Sequence, residues 1–496
     1  MTQSYQILFL LPLFLLPFIF FLLKLNKSSK IPQLPPGPKP WPILGNILHM
    51  GKMPHITLTT FAKTYGPLMS LKLGTKCLVV GSSPSAAIEI LKTHDKILSG
   101  RHVPNAFPFK KSELEKSSIG WTSECNNEWR YLRTLCRTEL FSGKVLESQA
   151  CSREEKAIEL VEFLRSKEGQ VINLGELIFA TVLNMLSNVM ISQDIVKLEK
   201  EIEDGGTKSL IREAMEVGSA PNISDFYPFL SKLDLQGLRR KSMVLMSKIR
   251  SKTWERIVKE RRKSKETGST SQQDFLETLL NNGFTNDAIH QLFMELFTAG
   301  TDTTTSTIEW AMAELIKYEE SMEKLQDELG RELIESDFPN ESKLLQMSYI
   351  QACVKETLRL HPPGPFLLPH RAIETCQVMS YTIPKDAQVL VNIWAIGRDP
   401  TIWKEPEMFR PQRFLSSNMD FKGNDFEFLP FGSGRRICPG LPMAAKSVPL
   451  VLASLVHFFD WELPNGKCSI DLDMNEKFGV TLQKKEPLLL IPKARK

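Results

Sequence analysis

One cysteine stands in a segment whose residue types and spacing suit the binding of a flat iron-containing ligand. The segment runs from Phe431 to Gly440 and reads FGSGRRICPG, with Cys438 among its glycines. Glycine permits tight turns and a close approach of the backbone to a ligand, and a cysteine thiolate is a strong ligand for iron. A match to F-x-x-G-x-R-x-C-x-G arises by chance in about one chain in ten thousand of this length. A buried structural cysteine beside a glycine turn is therefore the weaker interpretation.

A second cluster that could do chemistry is the run Ala299-Gly300-Thr301-Asp302-Thr303-Thr304. The small residues leave space beside a helix, and hydroxyls that bond back to carbonyls can open a helix locally. An alcohol and a carboxylate, here Thr303 and Asp302, can relay protons through ordered water. The alternative is a structural helix kink in which the threonine hydroxyls only satisfy their hydrogen bonds.

These two segments together resemble the cytochrome P-450 superfamily. The resemblance implies a haem b group (iron protoporphyrin IX) whose axial metal ligand is the thiolate of Cys438. It further implies that Phe431 covers the sulfur, that Gly434 and Gly440 shape the loop, and that Arg436 meets a haem propionate. Thr303 and Asp302 then activate oxygen on the opposite side of the haem.

Separated matches along nearly the whole chain extend the resemblance. Trp129 and Arg133 are similar to a helix that donates to a propionate, and His370 resembles a further donor. Glu356 and Arg359 match the family's E-x-x-R ion pair. Arg413, in the element FRPQRF, joins that network, with Gln412 where the family usually has an acid.

The resemblance also indicates an apolar, aromatic-rich substrate pocket. The side chains that it assigns to the pocket are Phe107, Phe109, Phe293, Phe297, Ala299, Phe366, Leu367 and Phe478. Core packing is the competing explanation for each one of them. Glu113, Glu115 and Asp225 could face a protonated amine, although solvated loop positions are commoner for such acids.

The elements that must position these residues are mainly helical. A helix is predicted from Asn286 to about Lys317, with Thr285 as N-cap and no proline inside. Runs at Leu68 to Leu73 and Cys77 to Val80 predict small antiparallel sheets, and the polar stretch from Lys263 to Asp274 predicts a surface loop. The fold class is therefore mainly α with small antiparallel β-sheets, in the P-450 fold with haem between the long helix and the cysteine loop.

The first residues predict a membrane anchor. Residues 7–23 are all Ile, Leu, Phe or Pro, so residues 1–25 are assigned to a single transmembrane helix, residues 26–44 to a basic and proline-rich linker, and residues 45–496 to the catalytic domain. A cleaved signal peptide is the alternative, but no small-residue cleavage site follows. Lys24, Lys27 and Lys30 flank only the C-terminal side, which predicts a cytosolic catalytic domain on the endoplasmic reticulum membrane.

The composition and motifs indicate which partners to expect. The net charge of +5 over 496 residues is small, and no dense basic block is interleaved with aromatic residues, so nucleic acid is not expected. No glycine-rich dinucleotide fingerprint is present and the length leaves no room for a flavin domain, so the electrons must come from a separate protein. The resemblance implies that this protein is a membrane-bound NADPH-cytochrome reductase. Basic residues close in sequence to the haem-contacting positions are its expected docking site, namely Arg130, Arg137, Arg435 and Lys446.

At finer grain, WAIGRDP at 394–400 and the segments around Glu309 and Glu374 resemble plant A-type enzymes that modify alkaloids. The expected function is an NADPH- and O2-dependent monooxygenase of a small apolar or amine-bearing metabolite, namely a tropane alkaloid, in the manner of littorine mutase. The alternatives are a benzylisoquinoline hydroxylase or phenol-coupling enzyme, and a monoterpenoid hydroxylase. A haem-thiolate isomerase that needs no reductase is the alternative from another class, and it would not need Thr303 or Asp302.

Overall fold

The structure is a computed structural model that describes residues 33–109, 111–198, 206–267, 273–333 and 338–495. The predicted anchor and the first part of the predicted linker lie outside the described residues. The rest of that linker does not stand free of the catalytic domain. Ser70 of the first strand donates its N–H to the carbonyl of Pro36 at 2.9 Å and its hydroxyl to the carbonyl of Pro35 at 2.6 Å.

Helices make up most of the described chain. In chain order they are α1 Pro54–Tyr65, α2 Pro84–Ile88, α3 Asp95–Leu98, α4 Lys111–Ser117, α5 Asn127–Glu139, α6 Gly143–Ser148, α7 Ala150–Ser166, α8 Leu174–Ile191, α9 Gly206–Ser219, α10 Ile223–Phe226, α11 Leu238–Lys252, α12 Glu255–Glu266, α13 Phe275–Asn281, α14 Asn286–Lys317, α15 Glu319–Glu332, α16 Glu341–Leu344, α17 Ser348–Leu360, α18 Ile393–Ile396, α19 Gln412–Leu415 and α20 Leu441–Phe458. The mainly helical fold class is confirmed.

The strands are short and lie in small sheets. They are β1 Leu68–Leu73, β2 Lys76–Gly81, β3 Gly100–Arg101, β4 Ile172–Asn173, β5 His370–Arg371, β6 Cys376–Val378, β7 Tyr381–Ile383, β8 Gln388–Val391, β9 Phe459–Glu462, β10 Glu476–Lys477, β11 Gln483–Lys484 and β12 Leu489–Ala494. The largest described sheet has the order β1-β2-β8-β5-β3. Strands β1 and β2 form the predicted antiparallel pair, but β2 and β8 run parallel.

The long helix α14 has the predicted bounds. The hydroxyl of Thr285 accepts from the backbone N–H of Ala288 at 3.3 Å and caps its first turn. Its 32 residues reach about 48 Å at 1.5 Å per residue. Helices α8 and α20 pack against it and are long and apolar enough to cross a membrane, but they are mostly buried, as core helices are. The core therefore surrounds α14, and a polar cluster at its middle lies deep in the protein.

The predicted loop from Lys263 to Asp274 is wrong at its beginning. Helix α12 continues to Glu266 because Lys and Glu are good helix formers, and it ends only at the turn that follows. Residues 268–272 lie outside the described part of the chain. Asp274 is the N-cap of α13, where its carboxylate accepts from the N–H of Glu277 at 2.9 Å.

Candidate active site

The cysteine loop presents its sulfur at the start of a long helix. Cys438 lies three residues before α20, and the backbone N–H groups of Gly440 and Leu441 point at the sulfur. Burial raises the pKa of the Cys438 thiol, while these two N–H groups and the nearby Arg133 cation oppose that rise. Donors at a helix N-terminus favour a thiolate over a thiol, and these two N–H groups offer such donors to the sulfur.

Phe431 helps to close the loop through its backbone. Its carbonyl accepts the N–H of Cys438 at 2.9 Å, and its ring meets Phe421 edge-on with the centroids 5.5 Å apart. A Cβ at Gly440 would lie 3.9 Å from the sulfur, which is an ordinary contact. That Phe431 shields the sulfur of a bound haem stays a prediction.

Two of the side chains assigned to the propionates, Trp129 and Arg436, converge on one stretch of backbone. Helix α5 is capped by Asn126, whose side chain accepts from the N–H of Trp129 at 2.8 Å, so that Trp129 and Arg133 share one face a turn apart. The indole N–H of Trp129 and Nη1 of Arg436 both donate to the carbonyl of Ile119, at 2.8 and 2.9 Å. The Arg436 guanidinium lies over the Trp129 ring, 4.9 Å from its centroid.

Two of these cations also bind neighbouring carbonyl groups. Arg133 donates to the carbonyl of Ile437 in the cysteine loop, and Arg436 donates to the carbonyls of Ser99 and Thr122 at 2.9 and 2.8 Å. These partners are neutral, so neither guanidinium group is hydrogen-bonded to a carboxylate in the described chain. Such a pair of cations suits an anionic group, and their contact with propionates stays a prediction.

His370, a predicted propionate donor, is buried beside a backbone carbonyl. Its Nδ1 lies 2.7 Å from the carbonyl oxygen of Leu98, which can only accept, so the Nδ1 atom carries the proton. Burial and the Arg101 cation hold the pKa of His370 well below its ordinary value. The Nε2 atom remains for a second partner, and that His370 donates to a propionate stays a prediction.

Arg101 is a residue of this region that sequence reasoning missed. Its guanidinium donates to the carbonyls of Gly120 and Leu368 at 3.2 and 2.6 Å, and burial lowers its pKa to about 9. It ties the loop before α5 to the chain that precedes β5. No motif marks it, because its partners are carbonyls distant in sequence.

The middle of α14 has the open surface that the sequence predicts. Ala299 is exposed, although Phe297, Thr301 and Asp302 around it are 0%, 0% and 2% exposed. The Thr303 hydroxyl donates to the carbonyl of Ala299 at 2.7 Å, and Thr304 donates to that of Gly300 at 2.8 Å. Hydroxyls that bond back in this way loosen a helix, so this turn can adjust around a small molecule.

The Asp302 carboxylate faces the C-terminal hairpin. Nε2 of Gln483 in β11 donates to both of its carboxylate oxygens, at 2.9 and 2.8 Å. Sequence reasoning missed Gln483, because a lone glutamine in a short strand carries no signal. The proton relay by Asp302 and Thr303 stays a prediction.

Glu295 is a second acid on α14 that sequence reasoning missed, one turn before Ala299. Its carboxylate accepts from the Ser118 hydroxyl at 2.6 Å and from the N–H of Gly120 at 2.5 Å. Burial raises the pKa of Glu295, and these donors oppose part of the rise. The loop before α5 is thereby attached to α14.

The ion-pair network behind the cysteine loop forms as predicted. Arg359 binds Glu356 in a bidentate pair with both distances 2.8 Å, and Nε of Arg413 reaches the same carboxylate at 2.9 Å. Glu356 and Arg359 are 0% and 1% exposed. Gln412 faces the Tyr349 hydroxyl at 3.3 Å and takes no part in this network. The missing acid at this position therefore leaves the three-membered network complete.

The predicted pocket residues lie in several different places in the fold. Phe293 and Phe297 are fully buried and pack on Trp254, with ring centroids 6.0 and 5.0 Å apart, so their assignment to the pocket is wrong and core packing explains them. Phe107 and Phe109 line a cavity of about 580 Å³ at the surface. Phe366 and Phe478 meet edge-on at 6.0 Å.

The remaining candidates for the pocket are Leu367 and three acids. Leu367 lies beside Gly432 of the cysteine loop, which places it near the site. Asp225 accepts from the backbone and side chain of Asn105, both at 2.8 Å, and Glu115 accepts from the Ser123 hydroxyl at 3.1 Å. These two acids therefore hold loops together, and nothing in these contacts points to an amine. Glu113 is in the first turn of α4, where acids are favoured.

The residues present fit a haem. A partly exposed cysteine whose sulfur meets two N–H donors, two guanidinium groups bonded to neutral carbonyls, and a helix that is open at Ala299 are the features that an anionic planar macrocycle with a central iron requires. Cys438 would hold the iron, and Arg133, Arg436 and Trp129 would hold the propionates. The bound group would activate dioxygen, and the chain would supply position and protons.

Comparison with known proteins agrees with this site. The family model described as Cytochrome P-450 matches residues 35–491. A Coptis japonica protein named "Probable (S)-N-methylcoclaurine 3'-hydroxylase isozyme 2" is 50% identical over 481 residues, which cover 96% of this chain and 97% of the relative. The Papaver somniferum (S)-N-methylcoclaurine 3'-hydroxylase isozyme 1 is 48% identical, with 96% and 98% covered. Corytuberine synthase of Coptis japonica is 47% identical, with 97% and 98% covered.

Proposed function

Since the chain belongs to the cytochrome P-450 family and is a cytochrome P-450 monooxygenase, we propose that it oxidises a benzylisoquinoline alkaloid. The observation that carries the proposal is the identity of 47–50%, over nearly the whole chain, with enzymes that hydroxylate (S)-N-methylcoclaurine or make corytuberine. These relatives favour the benzylisoquinoline alternative over the tropane interpretation. Hydroxylation of the aromatic ring is the expected reaction, and phenol coupling is the second.

The family implies a haem-thiolate site and electrons delivered by a reductase. We assign haem b to the thiolate of Cys438, with Arg133, Arg436 and Trp129 at the propionates. Asp302 and Thr303 deliver protons where oxygen is cleaved, since an alcohol and a carboxylate near the open turn at Ala299 can hand protons inward. NADPH is the electron source, through a membrane-bound cytochrome reductase.

The reductase docks on the face of α5 that points to solvent. Arg130 and Arg137 are exposed there and flank Arg133 in the same helix. Arg435 is 42% exposed and pairs with Asp95 at 3.0 Å, so it contributes at the edge. Lys446 is removed from the predicted docking set, because it is 16% exposed and pairs with Glu341 at 3.3 Å.

The chain is held on the endoplasmic reticulum membrane by residues 1–25, with its catalytic domain in the cytosol. This assignment rests on the apolar run and on the lysines that follow it. The bonds from Ser70 to Pro35 and Pro36 support it, because they join the proline-rich segment directly to the catalytic domain.

The decisive experiment offers three substrates to membranes that carry the full chain, reductase and NADPH. We expect turnover of (S)-N-methylcoclaurine and none of littorine or geraniol. Mass spectrometry separates a product heavier by one oxygen from a coupled product lighter by two hydrogens. Turnover of littorine or geraniol alone would overturn the benzylisoquinoline proposal.

Cys438→Ser tests the ligand, with the exposed Cys468→Ser as its matched control. The thiolate band in the carbon monoxide difference spectrum of the reduced protein should vanish in the first variant and persist in the second. Equal spectra in the two variants would contradict the assignment of Cys438.

A further inference from the structure

We propose that Gln483 is a positioning residue for Asp302, and that Glu476 fixes this contact by anchoring the β10–β11 hairpin. The inference rests on the proposed function, in which the Asp302 carboxylate delivers protons. The residues involved come from the last strands of the chain and from α14, and no motif joins them.

The contact itself is specific. One amide nitrogen of Gln483 lies 2.9 and 2.8 Å from the two oxygens of Asp302, which sets the plane of the carboxylate. In the described part of the chain, no other side chain donates to Asp302, which is 2% exposed. Loss of this donor would therefore leave a buried carboxylate unsatisfied.

A neutral donor suits a carboxylate that must exchange its proton. A lysine or arginine in place of Gln483 would hold the carboxylate in its charged form. The amide orients Asp302 without placing a cation beside it. In the delivery step the O–H bond of the protonated Asp302 breaks as a new O–H bond forms on an adjacent water. That water passes one of its other protons to the next acceptor toward the reacting oxygen, and a proton from solvent then restores the O–H bond of Asp302.

The strand that bears Gln483 is attached to α14 at consecutive residues. The Ser306 hydroxyl, one turn after Asp302, donates to the carbonyl of Leu482 at 2.9 Å. The N–H of Leu482 donates to the carbonyl of Pro363 at 2.8 Å. These bonds hold the backbone of β11 in a fixed register beside the turn that carries Asp302.

The partner strand is anchored by a buried carboxylate. Lys477 pairs with Gln483 in the hairpin, and Glu476 precedes it. The Glu476 carboxylate lies 2.9 Å from Nε2 of His55, and its other oxygen lies 3.3 Å from the indole nitrogen of Trp394. The Arg398 guanidinium is 3.7 Å away. Side chains from α1 and from the segment of α18 therefore converge on one side chain of β10.

Glu476 is also linked to α14, through His361. Nδ1 of His361 lies 3.4 Å from Glu476, and its Nε2 lies 2.7 Å from Glu314 of α14. The His361 ring stacks on Trp310, with centroids 3.8 Å apart and an angle of 1° between the planes. Glu314 is twelve residues after Asp302, about 18 Å along the helix. The hairpin is therefore attached to α14 at two points, Asp302 and Glu314. Displacing either strand of the hairpin would shift Gln483 relative to Asp302.

Gln483→Glu is the sharpest test, because it keeps the size of the side chain and replaces the donor by a second carboxylate. We expect the amount of product per NADPH consumed to fall about ten-fold, a part of what proton transfer contributes to such reactions. Gln377→Glu is the matched control, since Gln377 is exposed and its amide binds only Thr382 in the described chain. If the charged variant does not fold, Gln483→Met replaces it in this measurement, because methionine is apolar and of similar length.

A double-mutant cycle separates positioning from a structural role. In an Asp302→Asn background the asparagine amide can donate to the carboxylate introduced by Gln483→Glu. Adding Gln483→Glu to Asp302→Asn should therefore change the amount of product per NADPH by less than two-fold, which corresponds to about 0.4 kcal/mol. An equal loss in both backgrounds would overturn the inference. If Asp302→Asn alone leaves product per NADPH unchanged, the proton role of Asp302 fails and this inference fails with it, a result distinct from the first.

Two further readouts do not depend on turnover. The infrared carboxyl band that disappears in Asp302→Asn should shift in Gln483→Glu, and an unshifted band would contradict the contact. In Glu476→Gln, hydrogen exchange at the amides of Gln483 and Lys484 should quicken while exchange in β1 and β2 is unchanged. Exchange that quickens equally in both regions would refute a specific anchor.

Discussion

Gly434 lies directly against the carbonyl oxygen of Leu91, with a φ of +67°, so that a Cβ at this position would overlap that oxygen. Glycine is required at this position for two reasons. Its φ is in the left-handed region, and the helical turn after α2 approaches too closely to leave room for a Cβ atom. Because Gly434 begins the turn that carries Arg436, the contact sets where the cysteine loop lies relative to the rest of the fold.

Gly434→Ala should therefore lose both stability and haem. A left-handed conformation costs a non-glycine residue about 1–2 kcal/mol, and the overlap adds to that cost. The measurement is the thermal midpoint together with the carbon monoxide difference spectrum. Gly283→Ala is the matched control, because Gly283 has a φ of +72° and nothing within 4 Å of its Cβ position. Equal effects of the two changes would show that the contact with Leu91 is unimportant.

Arg359→Lys should destabilise the protein by about 3–5 kcal/mol, the range for a broken buried pair. A lysine has one charged nitrogen where the guanidinium binds Glu356 twice and also reaches the carbonyls of Pro406 and Met408. Chemical unfolding monitored by circular dichroism measures the change. The exposed pair of Lys324 and Glu320 is the control, and Lys324→Ala should leave the unfolding midpoint where it is. A midpoint of Arg359→Lys equal to the wild type would refute the importance of the network.

Glu295→Gln should loosen the loop before α5. In the wild type both oxygens of the Glu295 carboxylate accept hydrogen bonds, from the N–H of Gly120 and from the Ser118 hydroxyl. In the variant an amide NH2 group replaces one of these oxygens, so a donor would face one of these two donors. We expect a substrate dissociation constant raised about ten-fold, the equivalent of about one lost hydrogen bond, in a spectral titration. Asp287→Asn, an exposed acid of the same helix, is the control. Unchanged binding in Glu295→Gln would mean that this loop does not shape the pocket.

Glu476→Gln should have a pH-dependent cost. Burial alone would raise the pKa of Glu476, but hydrogen bonds from His361 and His55 and the Arg398 cation hold it well below its ordinary value. A depressed pKa stabilises the folded state above the unfolded value of about 4.3 and loses that contribution as the pH falls toward the folded value.

The free energy of unfolding should thus differ between wild type and Glu476→Gln by about 1.5–3 kcal/mol at neutral pH. The difference should shrink as the pH is lowered below about 4.3. Urea unfolding at a series of pH values measures it. A difference that grows on acidification has the wrong sign and would contradict the assigned partners.

Charge reversal on α5 should slow reduction by the reductase. The double change Arg130→Glu and Arg137→Glu removes two exposed cations, and we expect the rate of haem reduction to fall about ten-fold at low salt and less at high salt, because exposed charges are screened. Arg256→Glu, an exposed cation on α12, should leave the rate unchanged. A rate that falls equally at every salt concentration would indicate damage to the fold.

The sequence by itself determined the parts of this protein that are contiguous. The cysteine loop, the capped helix α14 with its open turn, the E-x-x-R pair and the first antiparallel strands all follow from neighbouring residues, because turn chemistry, helix caps and i, i+3 or i, i+4 spacing act over short distances. The reaction class follows from the same local chemistry around Cys438.

The tertiary structure alone decided which distant side chains meet. Gln483 meets Asp302 across 181 positions, Arg101 binds carbonyls of a segment far along the chain, and Phe293 and Phe297 turn to Trp254 in the core. Nδ1 of His370 meets the carbonyl of Leu98 across 272 positions. A single side chain in a short strand or loop has no periodicity that reveals its partner, since that partner is set by how the helices and hairpins pack.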